Sequence, residues 1–221
     1  MPAMFFGSIS TIADTSELQR QAYNDAFAQH GLDWSWDQDE YRSLLTSSGG
    51  SDRLAEYARA KNESVDADAV HQTKSELFQS RLADAGLTLR PGVAEVLHEA
   101  RDNGFQIAFV TTTALENVTA LLGGLHDLDE SDFDLIVSRS DVETPKPDGA
   151  AYDFALLTLG VTADQCVAIE DNVGGVQAAT AMGVRCIAFP NENTAEHDFA
   201  QAERRVERLE FSDVQSTFAA A

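Results

Sequence analysis

Short apolar runs punctuate this chain, and between them apolar residues recur every three or four positions. Met4–Phe6, Ile107–Thr111, Leu135–Ser138, Val167–Glu170 and Cys186–Phe189 have the length and composition of strands buried on both faces. Val93–Asp102, Leu115–Leu122, Ala151–Leu159 and Val176–Met182 are amphipathic and predict helices. Gly104, Gly160 and Gly183 stand where three of these helices should stop. Strand–helix alternation of this kind predicts an α/β fold, a doubly wound parallel sheet with helices on both faces.

One stretch breaks the alternation. From about Thr15 to Thr88 helical patterns follow one another with no convincing strand: Leu18, Ala22 and Ala26 keep helical spacing, as do Leu54 and Tyr57, and Leu77, Phe78 and Leu82 ahead of Gly86. This predicts an all-helical insert directly after the first strand. Residues 1–14 and 88–221 would then form the core domain and 15–87 a helical cap. There is no internal repeat and no low-complexity segment. The acidic run His126–Asp134 reads as a solvated loop and helix end, not a metal site, because its carboxylates have no fixed geometry.

Composition narrows the class. Hydrophobic residues are 43% and charged residues 24% of 221, which is globular and long enough to bury a real core. Lys plus Arg is 15 against 37 Asp plus Glu, a formal charge of −22. That charge argues against nucleic acid and against an anionic membrane surface as partners. No apolar run approaches the roughly 18 residues that span a bilayer. The opening MPAMFFGSIS lacks the basic and apolar regions of a secretory signal. Cys166 and Cys186 lie inside apolar stretches and read as reduced core thiols. The expected setting is cytoplasmic.

In an open parallel sheet, ligands bind beyond the carboxyl ends of the strands. Those ends carry Gly7–Thr15 after strand 1, Thr111-Thr112-Thr113 after the Ile107 strand, and Glu170-Asp171-Asn172 after the Val167 strand. Pro145-Lys146-Pro147-Asp148 precedes the Ala151 helix. Singly, each is most simply a cap or a surface residue. Together they bring a hydroxyl, an ammonium and two carboxylates to one sheet edge. The hydroxyl and ammonium suit phosphate oxygens, and the carboxylates suit Mg²⁺.

At this point the sequence resembles the haloacid dehalogenase (HAD) superfamily, and within it the CbbY-like sugar-phosphate phosphatases. The order strand 1, helical cap, Thr motif, Lys motif, Glu-Asp motif is the same. Thr15–Asn24 resembles that group's first cap helix. Gly31-Leu32-Asp33-Trp34 and Thr46–Arg53 resemble its later cap segments, and His71-Gln72-Thr73-Lys74 and Leu89–Val93 its return to the core. The likeness runs from about Met4 to Phe189. It implies a Rossmann-like core under an α-helical cap and a small phosphorylated metabolite as ligand, sugar phosphates such as xylulose 1,5-bisphosphate among them. It also implies phosphate contacts from Thr111, Thr112 and Lys146, cap contacts from Thr15, Gln19, Gly50, Arg53 and Lys74, and Mg²⁺ on Glu170 and Asp171. Relatives with the same cap include β-phosphoglucomutase and phosphoglycolate phosphatase.

The family's first motif, Asp-x-Asp-Gly-Thr, is where this chain departs. With Thr11 aligned to its Thr, Gly7 stands at the nucleophile and Ile9 at the acid/base, and Ser10 replaces the Gly. No one-residue shift restores the motif, because no acidic residue precedes Asp14. In the cap, Gln19 stands where many relatives carry His, and Ser51 where the pattern has Lys. Two readings follow: a phosphate-ester-binding protein with little or no family-type phosphatase activity and weakened Mg²⁺ binding, or a hydrolase with a different nucleophile, for which Ser8 and Ser10 are the available hydroxyls. A glycine at 7 should leave room for an engineered aspartate. No protein partner is implied.

Overall fold

A computed structural model describes residues 1–45 and 49–219 of the chain. Six parallel strands form one sheet: β1 (Ala3–Phe6), β2 (Gln106–Val110), β3 (Leu135–Val137), β4 (Cys166–Glu170), β5 (Arg185–Ala188) and β6 (Arg204–Arg205), in the order β3-β2-β1-β4-β5-β6. This is the doubly wound α/β arrangement of the Rossmann type. The order reverses between β1 and β4, so the crevice of the switch point opens beyond Phe6, Val110 and Glu170.

Side chains alternate across the sheet with the two-residue period of a strand. Met4, Phe6, Ile107, Phe109, Val167 and Ile169 enter one core, and Ala3, Phe5, Ala108, Val110, Cys166 and Ala168 enter the other. The first core is covered by α6 (Val93–Asp102), α7 (Leu115–Gly123) and α10 (Phe211–Ala219), the second by α8 (Ala150–Leu159) and α9 (Val173–Ala181). Burial on both faces explains why these strands read as unbroken apolar runs. Both cysteines are free and buried. Gly104, Gly160 and Gly183 have φ of +72°, +66° and +75°, the left-handed conformation that closes a helix.

Between β1 and α6 lie five helices and, among the described residues, no strand: α1 (Ile9–Ile12), α2 (Ser16–Gln29), α3 (Gln38–Leu44), α4 (Gly50–Lys61) and α5 (Ala67–Asp84). This helical segment has a core of its own, built from Tyr23, Phe27, Trp34, Trp36, Tyr41, Leu54 and Val70. Phe27 meets the edges of Trp34 and Trp36 at 5.4 and 4.7 Å, a geometry aromatic rings favour. Ala22 of α2 and Phe78 and Leu82 of α5 instead join the sheet-side core, which seats the segment on the sheet domain. Thr46, Ser47 and Ser48, part of one quoted cap segment, lie outside the described residues. Among the described residues, no helix is long and apolar enough to cross a membrane.

Three elements went unread in the sequence. The first turn after β1 is helical, β6 extends the sheet edge, and α10 packs Phe211 and Val214 into the core. Phe105 receives the rings of Phe211 and Phe218 edge-on, each at 5.5 Å. The acidic run is partly structured as well: Asp129 and Asp132 form a capping box, and Phe133 stacks on Phe109 at 5.4 Å.

Candidate functional site

A cavity of about 910 Å³ separates the helical segment from the switch point of the sheet. Gly7, Ile9, Thr111, Thr112, Lys146 and Asp171 reach it from the sheet side; Gln19, Gly50, Arg53 and Lys74 reach it from the helices. The residues singled out in the sequence thus converge, with two exceptions. Thr15 is fully buried at the junction, where its hydroxyl meets that of Ser10 at 3.0 Å. Glu170 is fully buried and does not line the cavity.

Glu170 sits beneath the cavity floor. A Cβ placed on Gly7 would lie 2.1 Å from its carboxyl carbon, and a Cβ on Gly175 of α9 would lie equally close on the other side. The carboxylate is therefore sandwiched between two glycines, and the room expected above Gly7 is already taken. Lys146 Nζ donates to Glu170 Oε1 at 2.6 Å, to the Val110 carbonyl at 2.6 Å and to the Gly7 carbonyl at 2.5 Å. An ammonium has three protons, and in this arrangement all three of those on Lys146 are directed to oxygens of the protein itself. The Tyr152 hydroxyl donates to the same Oε1 at 2.6 Å. Burial raises the Glu170 pKa and the Lys146 charge opposes that rise.

Asp171 is also committed. Its Oδ1 accepts from Ser8 Oγ at 2.6 Å and from Asn172 Nδ2 at 2.8 Å, and its Oδ2 accepts from Asn191 Nδ2 at 2.7 Å. Ile9 packs in the sheet-side core with 6% exposure. Thr111 is held by Val137 O through its backbone N–H, and its hydroxyl accepts from the Thr113 N–H at 3.2 Å.

On the helical side two cations, Arg53 and Lys74, line the cavity beside the carboxylates of Asp52, Asp68 and Glu76. Lys74 is 4% exposed; it donates to Gln19 Oε1 at 3.0 Å and lies over the rings of Tyr23 and Phe78 at 4.8 and 4.9 Å. Among the described residues no carboxylate pairs with it. Burial, with Arg53 nearby, pulls its pKa down to about 7. Arg53 donates to the Leu44 carbonyl at 2.7 Å and reaches the Tyr23 hydroxyl. His71 lines the same wall, and burial plus these two cations bring its pKa down to about 4.

Tyr152, Asn191, Tyr23 and His71 were missed in the sequence. A buried tyrosine needs a hydroxyl partner, and Asn191–Thr194 follows β5 at the same sheet edge, so both signals were present.

The group the sequence leads one to expect here is Mg²⁺. It demands near-octahedral oxygen ligands at about 2.0–2.1 Å. Glu170 is buried, wedged between glycines and bound to Lys146 and Tyr152, and both Asp171 oxygens already face N–H or O–H donors that a cation would repel. Among the described residues no three metal-capable side chains cluster anywhere. The residues as arranged do not fit the ion.

A doubly wound sheet with an all-helical segment after β1 and a polar cavity between them defines the haloacid dehalogenase-like hydrolases; that family's model matches residues 10–189, and the chain belongs to the family, in its CbbY-like branch. Protein CbbY of Cereibacter sphaeroides is 39% identical over 207 residues, covering 91% of this chain and 90% of its own. Protein CbbY of Rhodobacter capsulatus is 35% identical over 221 residues, covering 98% and 97%. Among solved structures, CbbY from Rhodobacter sphaeroides in complex with phosphate superposes with a TM-score of 0.88 at 36% identity, covering 99% of this chain and 100% of that one. An aspartate-to-asparagine variant of CbbY in complex with xylulose 1,5-bisphosphate gives 0.87 at 37%, covering 94% and 95%.

Proposed function

We propose that this chain binds a phosphorylated sugar in the cavity and has little or no phosphatase activity by the family's covalent route. The observation that carries the binding is Lys74. A lysine almost fully buried in a cavity wall, beside an arginine and, among the described residues, with no carboxylate partner, is costly to the folded protein. It is the more telling in a chain of charge −22, where carboxylates are abundant. An anionic ligand supplies the missing counter-charge. Gln19, Gly50, Arg53 and Lys74 would receive one end of the ligand, and Thr111 and Thr112 the other. The relatives solved with phosphate and with xylulose 1,5-bisphosphate support that ligand class.

The low activity rests on the residues after β1. Gly7 and Ile9 offer neither a carboxylate to attack phosphorus nor a proton for the leaving oxygen. Loss of a nucleophile from a site that acts as a unit costs about 10⁴–10⁶ in rate. A second reading, attack by a hydroxyl, has one contact in its favour: Ser8 Oγ donates to Asp171 at 2.6 Å, so the nearest hydroxyl has a carboxylate to take its proton.

Calorimetry with a pentose bisphosphate, alongside phosphate release from sugar and aryl phosphates, tests both. Binding without release is expected, and binding should disappear in Lys74→Met. A kcat of about 1 s⁻¹ or more that vanishes in both Ser8→Ala and Asp171→Ala would overturn the proposal in favour of hydroxyl attack.

A further inference from the structure

The environment of Glu170 is built for a side chain that closes a floor, not one that meets a ligand. Its carboxyl group stands at the point where residue 7 would carry its Cβ, and glycine is the only residue whose shape leaves that point free. Gly175 removes the same obstacle from the opposite side. Lys146 and Tyr152 hold one oxygen from the side of the sheet, and the other oxygen, Oε2, is buried without a hydrogen-bond partner. The charge of the carboxylate is met inside the protein, by an ammonium whose side chain is 6% exposed. The pair is therefore balanced in charge without an ion from solvent.

We propose that Glu170 takes the place of the side chain missing at position 7, sealing the sheet end of the cavity with Lys146, so that this chain binds its anion without a divalent cation. The proposal builds on the anion-binding reading above and adds that the metal requirement has been lost. Of the adjacent pair Glu170 and Asp171, only Asp171 lines the cavity, and Ser8, Asn172 and Asn191 already direct donors to it. Bringing Glu170 back would break its contacts with Lys146 and Tyr152 and leave Lys146 buried without a counter-ion. A divalent cation would have to compensate for all of these losses, and among the described residues no three metal-capable side chains cluster to receive it.

Two measurements test this. In the first, Mn²⁺ alone is titrated into the intact protein in concentrated KCl, which screens the surface carboxylates, and free Mn²⁺ is followed by electron paramagnetic resonance. Wild type, Glu170→Gln and Asp171→Asn should give superimposable curves. A Mn²⁺ held by wild type about tenfold or more tightly than by both variants would overturn the proposal. In the second, inorganic phosphate is titrated in Mg²⁺ and in EDTA. Equal affinities are expected, and tightening by about tenfold in Mg²⁺ would overturn it. If phosphate binds under neither condition, the anion-binding reading falls, and the Mn²⁺ curves still decide whether the cation site is lost.

Discussion

Replacing Lys146 with methionine removes one charge from beneath the cavity and leaves Glu170 buried opposite it. The side chains of Lys146 and Glu170 are 6% and 0% exposed, so water cannot take over the lost contact. Breaking one partner out of a buried pair costs about 3–5 kcal/mol, because the remaining charge is uncompensated. At about 2–4 °C per kcal/mol for a chain of this size, the melting temperature should fall by about 6–20 °C. The double variant Lys146→Met, Glu170→Gln removes the stranded charge and should recover most of the loss. A remainder of about 1–2 kcal/mol is expected, because the Gly7 and Val110 carbonyls still lack their donor. The pH dependence has a definite sign. Burial raises the Glu170 pKa and Lys146 opposes that rise, so removing Lys146 raises it further. An acid whose folded pKa lies above its unfolded value loses stability as pH rises between the two. The deficit of Lys146→Met should therefore be smallest in acid and grow toward neutrality. Urea denaturation of the three proteins across that range measures it. A single variant within about 1 kcal/mol of wild type, or a double variant no more stable than the single, would refute the account of a buried, mutually dependent pair.

Lys74 has the opposite signature: its folded pKa of about 7 lies below the ordinary lysine value of 10.5, so stability should rise with pH between the two, and Lys74→Met should flatten that rise in thermal melts. Anion affinity should fall as pH climbs above about 7, with proton uptake on binding visible as a buffer-dependent heat in calorimetry. Gly7→Ala must displace the Glu170 carboxylate and should cost about 1–3 kcal/mol in urea denaturation, as overpacking does. With a net charge of −22, KCl should raise the melting temperature by screening self-repulsion, which scanning at increasing salt will show.

Much of the architecture was written locally. Runs such as Val167–Ile169 are apolar on every residue because both faces of the sheet are covered, and that burial is visible without coordinates. The helix ends at Gly104, Gly160 and Gly183 were legible because only a left-handed residue closes a helix cheaply. The absence of carboxylates before Asp14 is a fact of sequence, and it sets the catalytic expectation without further help. The short strand β6 and helix α10 were not legible. Two residues carry no periodicity, and Phe211 and Phe218 become core residues only because Phe105 waits for them across the fold.

The site divides the same way. That Thr111, Lys146 and Asp171 share one edge follows from strand order, which a sequence pattern can suggest. Where Glu170 and Lys146 direct their charges does not follow, because it depends on free space. Position 7 carries no Cβ, position 175 carries none, and the carboxylate 163 residues from the first of them fills the gap. A glycine in the sequence reads as room for a new side chain; only the packed structure decides that a neighbour has already occupied it, because close packing leaves few voids in a protein interior.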